Sequence, residues 1–230
     1  MEALYGQISE VNYINPIILA CFTYLSEGAR MQFITKFKKH PHPKPQFLHT
    51  FSELILGVYL ISKGFFAEYE HKFDSEEPDW SILDDFFNVT AIIENVYLHI
   101  ADKTGKNIDT QKKAGKIAVG YLVNRYDIKH IRLYENVQDK ASGYKDLINQ
   151  LNVPYVVAVS IDSLYPIDDQ DMIDCLMSRE ESLFKLYPYL SGILKFEVFS
   201  GTYRFRFFKN IDTLHNIDIP SGFLELPEIF

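Results

Sequence analysis

Between Phe86 and Leu98 runs a segment whose centre, Val89 to Ile93, is almost entirely apolar. A strand of that kind suits the middle of a sheet, where both faces are covered. Val153 to Ile161 (VPYVVAVSI) is the clearest strand in the chain, short, β-branched and bounded by polar segments. Residues 102 to 150 lie between the two and are charged and mostly helical in pattern, with breaks near Gly105 and over Tyr126 to Lys129. A helical region that returns the chain to a buried strand is the crossover of an α/β sheet.

The remaining segments fit around that crossover. The first 40 residues repeat apolar side chains at helical spacing, with Ile17, Ile18, Cys21, Tyr24 and Leu25, then Met31, Phe33, Ile34 and Phe37. His40-Pro41-His42-Pro43-Lys44-Pro45 is a stiff linker, because alternating prolines forbid both helix and ladder. A helical segment with its linker over 1–45 and an α/β domain over 46–230 follow from that break. Phe47 to Gly64 reads as a helix that Gly64 stops. Phe65 to Phe73 partly alternates as a half-buried strand, Asp74 to Pro78 is an acidic turn, and Trp80 to Leu83 is a short strand. A helix is expected over Asp169 to Ser178. A hairpin of Ile193–Phe199 and Thr202–Phe208 turns at Ser200-Gly201. The expected class is α/β, a mixed central sheet flanked by helices with an N-terminal helical extension.

Composition narrows the function classes. With 47% apolar and 15% aromatic residues among 230, the chain can bury a sizeable core. A formal charge of -8 argues against a protein that coats nucleic acid, yet not against a nuclease, since bound cations reverse the sign of a carboxylate-rich cleft. Two cysteines, Cys21 and Cys175, make neither a disulfide framework nor a cysteine zinc site, so a reduced, cytoplasmic setting is expected. No run approaches eighteen apolar residues, so no membrane span is expected. There is no glycine-rich phosphate loop and no nucleophile elbow. His40, His42 and His49 lack a ligand spacing, and His71 and His99 read as structural. Arg204, Arg206 and Lys209 alternate with aromatics in a stripe that suits a phosphate backbone or, more plainly, a solvated edge strand.

Chemistry concentrates in the acids. Asp79 follows Pro78 at the start of a strand, and Glu94 lies in a strand too apolar to leave a charge alone. Glu94 must therefore be neutralised, paired or bound to a metal. A hairpin of 80–83 with 86–98 brings the two carboxylates to one end of the sheet. Glu53, on the helix before the first strand and with Gly57 one turn on, is a third acid within reach of that edge.

Glu53 on a helix, Pro78-Asp79 at a strand and Glu94 after an apolar run resemble the PD-(D/E)XK, or restriction endonuclease-like, superfamily over roughly residues 47 to 160. The resemblance implies a mixed sheet flanked by helices. It implies Mg²⁺ or Mn²⁺ held by Asp79 and Glu94, with Glu53 joining them, and hydrolysis of phosphodiester bonds in DNA. The pattern departs at one place. Two residues after Glu94, where the superfamily carries lysine, this chain has Val96. Some members take a lysine from the following helix, and Lys140, one turn from Tyr144, is the substitute here, ahead of Lys145 and Lys116. Lys140 and Tyr144 also resemble a helix motif of exonuclease-type members, with Lys in place of the usual Gln. The competing expectation keeps the fold without the chemistry, as a binding or assembly module in a DNA-processing or defence system. Its protein partner would be reached through Phe223 to Phe230.

Overall fold

The structure, a computed structural model, describes residues 15–40, 45–74, 76–99, 126–162, 167–177, 182–199 and 202–225. Gly105, Lys116, the linker 41–44 and the turn at Ser200-Gly201 lie outside them, as do residues 226–230.

Helix follows apolar periodicity. After a helical run over 15–22, α1 spans Glu27–Lys39 and α2 spans Pro45–Ser62. Ser26 caps α1, its side chain accepting the Ala29 N–H at 3.3 Å, and Lys36, Lys38 and Lys39 sit at the negative end of the helix dipole. α2 is buried on nearly every side, and Gly64, at φ 88°, ends it as the sequence predicts.

Three strands follow, β1 (Phe66–Tyr69), β2 (Trp80–Leu83) and β3 (Val89–Leu98). Next come α3 (Tyr126–Gly143), α4 (Lys145–Leu151) and β4 (Tyr155–Ile161). The chain continues with α5 (Asp169–Leu176), α6 (Leu183–Leu186), β5 (Leu190–Phe199), β6 (Thr202–Lys209) and β7 (Gly222–Leu224). The strand expected over 65–73 stops at Tyr69, because Glu70 turns into the left-handed region at φ 50°. The break expected at Tyr126–Lys129 is instead where α3 begins. The helical region divides further on, at Tyr144. β7 and the short α6 carried no sequence signal of their own.

Among the described residues, the seven strands form one mixed sheet in chain order. β3, β4 and β5 run parallel to one another, and the outer pairs are antiparallel. The crossover predicted between 98 and 153 therefore delivers β4 parallel to β3, as the apolar runs demand.

Two cores cover the two faces. On one, α1 and α2 pack with Trp80, Ala91, Ile93, Val156 and Phe196. Phe33 of α1 is wholly buried and stacks on Tyr69 at 4.1 Å, so the N-terminal helix shares this core. On the other face, α3, α4, α5 and α6 pack with Ile92, Val96, Val157 and Ile193. The two-residue period of β3 thus sends Ala91, Ile93 and Asn95 to the α2 face and Ile92, Glu94 and Val96 to the α3 face. Among the described residues no helix is long and apolar enough to cross a membrane.

A carboxylate and lysine centre at the end of the sheet

Strand pairing draws the acids together. β2 and β3 are antiparallel with Trp80 opposite Ile93, which leaves Asp79, just before β2, beside Glu94. The two residues clasp each other through the backbone. The Asp79 N–H donates to Glu94 Oε1 at 2.9 Å, and the Asn95 N–H donates to Asp79 Oδ2 at 2.7 Å.

Into this pair reaches Lys140, from the last turn of α3. Its Nζ lies 2.5 Å from Glu94 Oε2 and 3.7 Å from Asp79 Oδ2. Both carboxylates therefore converge on one positive centre. Glu94 is 1% exposed, Asp79 13% and Lys140 31%, so the centre opens to solvent from the lysine side. Val96, two residues beyond Glu94, packs in the α3-side core. The ammonium comes from the helix above the sheet instead.

The end of α3 is held in place by two tyrosines. The Tyr155 hydroxyl donates to the Lys140 carbonyl at 3.0 Å, and the Tyr189 hydroxyl donates to the Ala141 carbonyl at 2.9 Å. Both carbonyls lie in the last turn of the helix, where that of Lys140 also accepts the Tyr144 N–H at 3.4 Å. Tyr144 stands between α3 and α4, beside Glu94, and its hydroxyl donates to the Glu77 carbonyl at 3.3 Å.

The electrostatics are short of positive charge. Burial pushes the Asp79 carboxyl up to about 7, aided by the negative charges of Glu94 and Glu53 and opposed by Lys140 and the Asn95 N–H. Burial alone would lower the Lys140 ammonium, but the charges of Asp79 and Glu94 outweigh it and hold the group above its usual value. The Tyr144 hydroxyl is raised by burial and then by Glu94 and Asp79. An oxygen-only donor set with excess negative charge is chemically suited to a hard divalent cation.

Glu53 answers to different partners. It lies on α2, across the sheet from the Glu94 side chain. Lys36 Nζ approaches Glu53 Oε2 at 3.2 Å, His49 Nε2 approaches Oε1 at 3.1 Å, and the Tyr69 hydroxyl donates to Oε2. Lys36 also reaches Glu70 at 2.7 Å and the Tyr69 oxygen at 2.5 Å. Burial would raise the Glu53 carboxyl, but His49, Lys36 and Tyr69 together hold it at about 2. The room beside it at Gly57 is filled by the Trp80 indole, whose Nε1 donates to the Glu53 carbonyl at 2.9 Å. Asn95 ties the same helix to β3, donating from Nδ2 to Ser52 Oγ at 2.7 Å.

The four predicted site residues thus divide. Asp79, Glu94 and Lys140 meet, while Glu53 acts on Asp79 and Lys140 through its charge. Among the described residues no group of three acidic, histidine or cysteine side chains forms a metal-ligand set. Lys36, His49 and Tyr69, which hold the Glu53 carboxylate, and Glu70, which shares Lys36 with it, were not singled out from the sequence. Only the i,i+4 spacing of His49 and Glu53 was there to find them.

The basic stripe on β6 is fully engaged. Arg204 pairs with Glu197, Arg206 with Asp169, and Lys209 with Asp218 at 2.8 Å. Lys195, buried beneath it, bonds Asp169 and Glu197 at 3.3 and 3.4 Å. No family model, curated protein or solved structure matches the chain, so what the centre does is argued from its own chemistry.

Proposed function

We infer that the chain is a divalent-metal-dependent nuclease of the restriction endonuclease-like kind, hydrolysing phosphodiester bonds in DNA. The observation that carries this reading is the convergence of Asp79 and Glu94 on the ammonium of Lys140. Two carboxylates and one lysine are the complement that the resemblance calls for, with the lysine supplied by a helix in place of Val96. Asp79 and Glu94 are the ligands for Mg²⁺ or Mn²⁺, through hard oxygens at about 2.0–2.6 Å. When bound, such an ion offsets phosphate charge and lowers the pKa of its water.

The chain's own groups do the rest. Lys140 orients a water by hydrogen bonding and stabilises charge that grows on the phosphate oxygens. Asp79, whose carboxyl burial and the neighbouring acids raise, gives up its proton when it takes a cation. Glu53 adds negative potential from the far face of the sheet.

One observation favours a second reading. Arg204, Arg206 and Lys209 are all occupied by acids, which leaves that stripe without free charge for a phosphate backbone. On this reading the fold is a catalytically inactive binding or assembly module, and Lys140 closes the acid pair as a structural ion pair.

Cleavage of labelled single- and double-stranded DNA and RNA with Mg²⁺ or Mn²⁺ separates the two. The nuclease reading expects cutting that disappears in an Asp79→Ala/Glu94→Ala double variant. No cutting by the native chain with either ion, or equal traces in both proteins, leaves the binding module as the account.

A further inference from the structure

The outer edge of the sheet carries features that the acid centre does not use. Among the described residues β1 pairs only with β2. The Glu70 N–H bonds the Asp79 carbonyl across that pair at 3.1 Å, which fixes the alternation. Phe66 and Glu68 turn their backbone groups toward β2, and Ala67 turns its N–H and C=O outward. An edge of that kind is a template for another strand.

The outward side faces open space. A cavity of about 760 Å³ runs along β1, with Trp80 at its floor and the first turn of α1 as its opposite wall. At Gly28 in that wall, no atom stands within 4 Å of where a Cβ would lie. One end is closed, where Gln32 and Lys36 reach Glu70 at 3.5 and 2.7 Å. The other end is aromatic. Phe66 and Phe87 meet edge to face at 5.5 Å while remaining 50% and 69% exposed, and Phe86 beside them is 83% exposed.

Phe87 holds φ at 65°, which is costly for a bulky side chain. Asp84 enforces it, its Oδ1 accepting the Phe86 and Asn88 N–H groups at 2.8 Å each. A strained aromatic fixed toward solvent is built for contact rather than for the core. The rim is acidic. Glu68, Asp84 and Asp85 flank the aromatics, while Lys72 is taken by Glu77 at 3.2 Å and His71 by Glu68 at 2.7 Å.

We propose that the β1 edge receives an extended segment of a partner protein as an added strand. Its alternate apolar side chains enter the groove floored by Trp80, on the side of Ala67 and Tyr69. Its Lys or Arg side chains take the other side, over the Phe66–Phe87 pair and beside Glu68, Asp84 and Asp85. A second copy of this chain is the poorer occupant, because the same acids would oppose each other across the pairing. The inference is independent of the nuclease reading.

The probe is a labelled peptide of alternating Lys and Val, about ten residues long, titrated into the full chain by fluorescence anisotropy. A control peptide of equal charge carries proline at its centre and cannot form a strand. Two variants accompany them: Gly28→Leu, which fills the groove wall from a helical position open to solvent, and Ala67→Pro, which removes the outward donor. The proposal expects the first peptide to bind and to protect the Ala67 amide from hydrogen exchange. The control peptide and both variants should each lose about tenfold in affinity or more. Three results would overturn it: no binding, equal binding of the two peptides, which means charge attraction alone, or a dimer of the native chain that Gly28→Leu dissolves.

Discussion

At the scale of single residues, Asp79 and Glu53 depart from ordinary acids in opposite directions, and pH separates them. Asp79 stands at about 7 in the folded chain against 3.8 for the free side chain, so the native state keeps a proton that the unfolded chain releases. Stability therefore falls as pH rises from about 4 to about 7, by on the order of a few kcal/mol. Asp79→Asn should remove that loss, raising Tm at pH 8 by several degrees and flattening the pH profile in thermal denaturation. The same variant should cut no DNA, as expected where a site is strained for function. Glu53 has the opposite sign. Its carboxyl sits at about 2, so its contribution is present above pH 4.5 and is lost as pH falls toward 2. Glu53→Gln leaves Lys36 its pairing with Glu70 but removes the charge that Lys36, His49 and Tyr69 share, and should cost about 1–2 kcal/mol at neutral pH, read by urea denaturation.

The sequence showed the acid pair because a Glu in an apolar strand and an Asp after proline each break a local rule. It showed Lys140 because that residue precedes a clear strand by one helix. The Lys36 and Tyr69 partners of Glu53 come from other elements, up to 17 residues from it in the chain. No periodicity records such a meeting.

At the scale of elements, two contacts position the centre. Gly57 lets Trp80 lie against α2, since a Cβ there would fall 1.8 Å from the indole ring. That close approach brings the start of β2, and Asp79 with it, against the helix that carries Glu53. Gly57→Ala should push Trp80 outward and destabilise the fold by about 3 kcal/mol, measurable by chemical denaturation and by Trp80 fluorescence. Tyr155 and Tyr189 likewise fix the end of α3. Tyr155→Phe should cost only about 1 kcal/mol in stability. Its effect on cleavage should be larger than that on folding, because Lys140 loses its anchor. Glycine on a helix and tyrosines at strand starts are visible in the sequence, but their partners are not. A glycine is read as a stop or as space, and here the space belongs to an indole from another element. The strands themselves were legible, since β3 and β4 are apolar runs and β6 alternates aromatic with basic residues. β7 is three residues paired at the margin of the sheet, too short to leave a pattern.

At the scale of the whole molecule, the sheet places unlike chemistry on its two faces. One face carries Glu53 with its neutralising cluster, and the other carries Glu94 with Lys140. Asp79, at the strand end, is influenced by both. The order of helix, three strands, helical crossover and strand was readable because the crossover follows from two buried strands. The relation of the two faces was not, because it depends on which way each side chain points from a shared sheet. Under the proposed function, Asp79 and Glu94 form one cation site with Lys140 beside it. Calorimetric titration of Mn²⁺ into the native chain and into Asp79→Asn/Glu94→Gln, at pH 6 and pH 8, tests it most directly. The account predicts one site in the native chain, tighter at pH 8 because Asp79 must lose its proton, and no binding in the variant. Native binding that is absent, or unchanged by the double substitution, would contradict it.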